Sequence, residues 1–162
     1  MLFKESQDKD ENEGRTGSKI MNANPLSYEI IDHTADLGIV VRGATIKELF
    51  VNAADAMTDL MVRADICKKG TKRKLIVEGE DLPDLMVRWL GEILYLFNGE
   101  HILVRAIEIG SVSPTRLQSK LNVVSLNRSR HEILREIKAV TYHQIAVEET
   151  AHGWEARVIF DI

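Results

Sequence analysis

Two stretches of this chain repeat their apolar residues at intervals of three and four, and each leaves only one apolar stripe to bury. The first carries Ile46, Leu49, Phe50, Ala53, Met57, Leu60 and Met61; the second carries Leu82, Leu85, Met86, Trp89, Leu90, Ile93, Leu94 and Phe97. That spacing predicts two amphipathic helices. Thr45 and Glu48 stand at capping-box spacing before the first. The second is predicted to start near Asp81, with Pro83 tolerated in its first turn and Asp84 complementing the helix dipole, and to stop at Asn98 and Gly99. Helices with one stripe each need a sheet to cover.

The rest of the ordered sequence supplies it. Residues 28–32 and 37–43 read as short strands, with Leu37, Ile39 and Val41 on one face, and residues 74–78 place Leu75 and Val77 together. Residues 101–109 and 116–124 flank a turn containing Gly110 and Pro114, which predicts a hairpin. A polar connection, NRSRHE, leads to a final hairpin of residues 137–147 and 154–162, closed by EETAHG. Strands in a meander with two helices able to cover one side predict an α+β two-layer sandwich, its sheet mostly antiparallel or mixed. Residues 26–162 are expected to form one domain. The polar residues before them, 1–25, read as a disordered tail, within which Met21 is a natural alternative start.

Composition excludes several functions. With 162 residues, 44% hydrophobic and 28% charged, the chain is long enough for a real core. A net charge of −4 gives no basic footprint for tight nucleic-acid binding. The single cysteine, Cys67, excludes an intramolecular disulfide and a multi-cysteine zinc cage. No run approaches the roughly 18 apolar residues of a membrane span, and a signal peptide's apolar core is absent. A soluble, cytoplasmic protein is expected.

The sharpest chemistry lies at the chain end. An apolar run, Val158, Ile159 and Phe160, delivers the Asp161 carboxylate and the terminal carboxylate of Ile162 to nearly the same point. Two carboxylates about 5 Å apart at an effective dielectric near 20 repel by roughly 3 kcal/mol, so such a pair protonates, splays into water or takes up positive charge. Pairing Val147 near Trp154 would set Val140 opposite Asp161 and Lys138 beside the terminus. Lys138 could then hold the two acids as a structural ion pair. The competing ligand is a divalent cation, favoured if Asp36, from the DHTAD segment of residues 32–36, adds a third carboxylate; hard cations prefer all-oxygen sites. Spacing alone does not bring Asp36 to Asp161.

Several segments together resemble the archease family: DHTADLG at residues 32–38, the TIKELFVNAADAM and DLPDLMVRWLGEILYLF helices, RHE at residues 130–132, EIKAVTYH at residues 136–143 and the closing WEARVIFDI. The likeness runs from about Tyr28 to Ile162. Two departures stand out, a longer leading tail and SLNRSRHE without the Gly-Glu that precedes RHE in many members. The resemblance implies a small α+β protein that assists the RtcB-type RNA-splicing ligase, promoting guanylylation of the ligase and its repeated turnover without catalysing the joining. It also implies a divalent-cation site with ligands Asp36, Asp161 and Ile162. Ca²⁺ is the ion expected in a crystal, with Mg²⁺ or Mn²⁺ as cellular alternatives. His33, Lys138, Thr141 and His143 are the candidate supporting or partner-facing groups.

No catalytic residue is assigned, and a monomer or weak oligomer is expected. The alternative function is a chaperone or specificity modulator of another RNA-modifying enzyme, such as a tRNA methyltransferase. A metal-dependent hydrolase fits less well, because no His or Glu stands at a suitable spacing from the ligands to act as general base.

Overall fold

The computed structural model describes residues 28–32, 35–65 and 69–162, with only the backbone of Asp32. The expected tail, His33 and Cys67 lie outside the described residues. The chain opens with an antiparallel pair, β1 (Tyr28–Asp32) and β2 (Leu37–Gly43), followed by helix α1 (Ile46–Met61). The Thr45 hydroxyl caps α1 by accepting the Glu48 backbone N–H at 3.1 Å. After the short β3 (Val62–Arg63) and β4 (Thr71–Glu78), the Asp81 carboxylate caps helix α2 (Leu82–Asn98) by accepting from Asp84 N–H at 2.9 Å.

Six strands follow: β5 (Ile102–Ser113), β6 (Arg116–Ser125), β7 (Glu132–Ile133), β8 (Ala139–Val140), β9 (Ala146–Thr150) and β10 (Gly153–Asp161). They form three antiparallel sheets rather than one. The first runs β1-β2-β10-β8 with β9 also on β10, the second is β4-β6-β5, and β3 pairs with β7 alone. Helix α1 packs on β2, β10 and β5, and α2 on β5, β4 and β8, so the helices join the two larger sheets through one core. The helical stripes fill that core as expected, with Phe50, Met57, Leu85, Met86, Trp89 and Leu90 fully buried. The Trp89 indole N–H donates to the Phe50 carbonyl at 2.9 Å, satisfying its polar atom inside the core.

Two local readings of the sequence give way. Gly110 is not in the hairpin turn: β5 continues through it to Ser113, and irregular register between Ile109 and Ser111 absorbs the glycine within the strand. The stop at Asn98 and Gly99 is as expected: α2 ends at Asn98 with Gly99 as its cap in a right-handed conformation, and His101 takes a positive φ of 55°. The expected strand over residues 137–147 is broken into β8 and β9. Paired positions on β10 sum to 300 for β8 (Val140 with Phe160) but to 303 for β9 (Val147 with Ala156), so extra chain bulges out between them. Gln144, at φ 52°, lies in that bulge.

Candidate metal centre at the chain end

The register of β2 and β10 builds the site. Phe160 pairs with Leu37, both buried against the core, and this pair ends the β2–β10 ladder, with Asp161 following on β10 and Asp36 in the bend just before β2. Alternation along β10 turns Asp161 away from the side that Phe160 faces. Asp36 is half-buried and Asp161 exposed. Their place at the same end of one ladder, which sequence spacing could not supply, follows from the β2–β10 pairing.

On its other side Asp161 pairs with Ala139, and Val140 faces Phe160, one position away from the expected pairing of Val140 with Asp161. The Lys138 N–H donates to the Asp161 carbonyl at 2.8 Å and ties down the chain end through its backbone. The rival ion pair does not form: the Lys138 ammonium is exposed, and among the described residues no salt bridge joins it to Asp36 or Asp161. Two carboxylates that follow the end of one ladder, with Ile162 next to Asp161 in the chain, are oxygen donors of the kind a hard divalent ion takes. The described residues contain no group of three or more His, Cys, Asp or Glu side chains able to hold a metal, so a site on Asp36 and Asp161 would need Ile162 oxygens as further ligands.

Of the supporting candidates, Thr141 anchors the bulge. Its N–H and hydroxyl both donate to the Ile159 carbonyl, at 3.0 and 2.9 Å, and its hydroxyl accepts the His143 N–H at 3.3 Å. His143 is exposed beside it. Sequence reading missed Tyr142, whose side chain stands out from the bulge and donates its hydroxyl proton to Asp84 at 2.6 Å. Asp84 also accepts from the Glu80 N–H at 2.8 Å and from Arg88 at 2.9 Å. The Tyr142 hydroxyl first, then the Glu80 N–H and Arg88, hold the Asp84 carboxyl down at about 2. The start of α2 is thereby tied to the bulge next to the chain end. No signal in the sequence linked positions 84 and 142, because that contact depends on the bulge.

The RHE segment proves to be a clasp. Glu132 bonds Arg63 at 2.8 Å, Arg130 approaches Asp65 at 3.9 Å, and buried His131 accepts the Asn127 N–H on Nδ1 while its Nε2 lies 3.5 Å from Asp65. These contacts fasten β7 to β3 and explain the histidine without a functional role.

The model of the archease protein family matches residues 28–162, which is the whole of the domain from its first described strand onward. This chain belongs to the archease family. Its relatives include an archease of Methanosarcina mazei, 33% identical over 139 residues, covering 83% of this chain and 95% of the relative. Another, from Archaeoglobus fulgidus, is 36% identical and covers 85% of this chain and all of the relative. Among solved structures, the solution structure of Methanobacterium thermoautotrophicum protein 1598 superposes with a TM-score of 0.71 at 29% identity, covering 84% of this chain and 99% of that one. An archease of Thermotoga maritima, described as a possible chaperone, shares the fold with a TM-score of 0.57 at 19% identity, over 83% of this chain and 96% of that one. Among the described residues, no helix of this archease is long and apolar enough to cross a membrane.

Proposed function

We propose that this archease is a non-catalytic, metal-binding accessory factor that activates an RtcB-type RNA ligase in tRNA splicing. Asp36, Asp161 and Ile162 would hold a divalent cation, Ca²⁺, Mg²⁺ or Mn²⁺, and present it to the ligase. Such an ion supplies charge neutralisation to the phosphates of a nucleotide during transfer to the ligase. The chain's own part is positional. The β2–β10 ladder ends next to the two acids, the Lys138 N–H fixes the backbone of Asp161, and Thr141 pins the neighbouring bulge. The observation that supports this reading is the pairing of Phe160 with Leu37, whose chain neighbours are Asp161 and Asp36.

The description of the Thermotoga relative as a possible chaperone supports a second accessory role, assistance to another RNA-modifying enzyme through the protein surface. One experiment separates them: guanylylation and multiple turnover of an RtcB-type ligase with the wild-type protein, with Asp161→Ala and with no addition. Stimulation by the wild type that falls to the unassisted level in the variant is expected. Equal stimulation by both would exclude a working role for the site, and none from the wild type would exclude the ligase as partner.

A further inference from the structure

Positive charge collects on the outer face of the second sheet. Alternation along β4 and β6 buries Val77, Leu117 and Leu121 on one side and leaves Lys72, Lys74, Ile76, Gln118 and Lys120 exposed on the other. The register sets Lys74 directly opposite Lys120, with Lys72 on the diagonal. Opposed residues of a sheet have Cβ atoms about 4.5–5.5 Å apart and diagonal ones about 7–8 Å, so three ammonium groups share one small area. Like charges set directly opposite destabilise a sheet. Other strand bases bond the acid across the ladder: Arg116 with Glu78 at 3.5 Å, Arg42 with Glu155 at 3.0 Å and Arg63 with Glu132 at 2.8 Å. Among the described residues no salt bridge engages Lys72, Lys74 or Lys120, although Glu108 on β5 pairs with Lys120 in the register. Three lysines against one acid leave this face a local positive excess.

Between the opposed lysines the face opens. Lys74, Lys120, Gln118, Ile76, Glu108 and Gly110 line a cavity of about 140 Å³. Small-molecule pockets run to roughly 300–1,000 Å³, so this space suits one group of a larger ligand. Gly110 stands inside β5 at irregular register, and a Cβ there would meet only the Gln118 carbonyl oxygen at 3.7 Å, an ordinary contact. Internal packing therefore does not demand the glycine, and a glycine within a strand often marks a place where another group comes close.

We infer that this face binds the phosphate backbone of an RNA strand, with Lys74 and Lys120 holding one phosphate over the cavity and Lys72 its neighbour. Gln118 adds an amide donor for a phosphate or sugar oxygen. The composition of the face separates this occupant from an acidic protein. Protein interfaces are depleted in lysine and gather an apolar or aromatic core, whereas Ile76 is the one large apolar side chain exposed among these lysines; surfaces that hold nucleic acid are polar and positive. β4, β5 and β6 carry no aromatic residue on which bases could stack, so the contact is weak and indifferent to sequence. The chain's net charge of −4 averages over this local excess and hides it. That the strand is RNA rests on the proposed function; the contact itself does not use Asp36 and Asp161, which adjoin the other large sheet.

The full chain, labelled with ¹⁵N, is titrated with an oligouridylate of a dozen nucleotides, with an oligodeoxythymidylate of the same length and with decaglutamate. No ligase is present, so the outcome is separate from that of the guanylylation assay. The oligouridylate is expected to shift the amides of Lys72 to Lys74 and of Gln118 to Asn122 first and to saturate in 50 mM salt. It should bind about twentyfold more weakly in 200 mM salt, since three phosphate contacts on a single strand give a slope near −2 in log K against log salt. The double variant Lys74→Gln, Lys120→Gln should melt no lower than wild type, because it removes an opposed like-charge pair, yet bind at least fivefold more weakly with a slope of about −0.7. Absence of saturation in 50 mM salt, shifts centred elsewhere, or equal binding by the double variant would overturn the proposal. Decaglutamate bound as tightly as the oligouridylate would overturn nucleic acid in favour of an acidic peptide, and tighter binding of the deoxy strand would overturn RNA.

Discussion

Asp161→Asn separates the cost of the chain-end acids from their use. If Asp36 and Asp161 share one ion they stand about 5 Å apart, and as unit charges they then repel by roughly 0.8 kcal/mol at the dielectric of water and roughly 3 kcal/mol at an effective value of 20. Asp161 is exposed and Asp36 half-buried, so the low end applies, about 1 kcal/mol. Removing one charge while keeping the side chain's shape should stabilise the metal-free fold by that amount, a rise in Tm of about 3–5 °C for a domain of this size. A divalent ion reverses the order. At 100 times its Kd a ligand that binds only the folded state adds about 2.7 kcal/mol, which the wild type gains and the variant does not. Thermal melts in EDTA and in millimolar Ca²⁺ or Mg²⁺ measure both terms. A variant less stable than wild type in EDTA, or the same cation response in both proteins, would refute the reasoning.

Two other outcomes test the electrostatics, and one the core. Because burial and then the Asp59 charge lift the folded Asp55 carboxyl to about 6, above its ordinary value near 3.9, its contribution to stability is full below about pH 4 and is lost as pH rises through 6; Asp55→Asn should raise Tm at pH 7.5, by no more than about 1 kcal/mol after solvent screening, and leave it unchanged at pH 4. Asp84 has the opposite sign: held at about 2, it contributes stability above about pH 4 that is lost as pH falls through 2, and Tyr142→Phe should move its carboxyl titration, followed by ¹³C NMR, upward. Trp89→Ala, which empties a fully buried site and removes the bond to Phe50, should cost about 3–5 kcal/mol in a urea melt.

The periodic elements were legible in the sequence because their local signals and their packing agree. The stripes of α1 and α2 are the buried faces, Thr45 caps the first helix, and β1 and β2 have the expected bounds. Where tertiary contacts override local signals, reading failed. Gly110 looked like a turn residue but is absorbed in a long strand, and the run from Lys138 to Val147 has strand composition yet breaks at a bulge that seats Thr141 and Tyr142. The acids at the chain end were legible as a charge problem. The pairing of Phe160 with Leu37, which brings the chain end to the strand that follows Asp36, was not, since it joins residues more than 120 apart in sequence. The basic face of the second sheet left no readable mark, because lysines at alternate positions look like a solvated strand face until the register sets Lys74 opposite Lys120.

Paramagnetic mapping with Mn²⁺ tests most directly whether the acids of the first strand pair and of the chain end jointly take a divalent ion. Substoichiometric Mn²⁺ added to the ¹⁵N-labelled protein should broaden the amides of Asp36 to Gly38, of Lys138 to Val140 and of Phe160 to Ile162 before any others, and Asp36→Asn and Asp161→Asn should each abolish that pattern. Broadening centred on Asp55 and Asp59, or spread evenly over the surface, would contradict it.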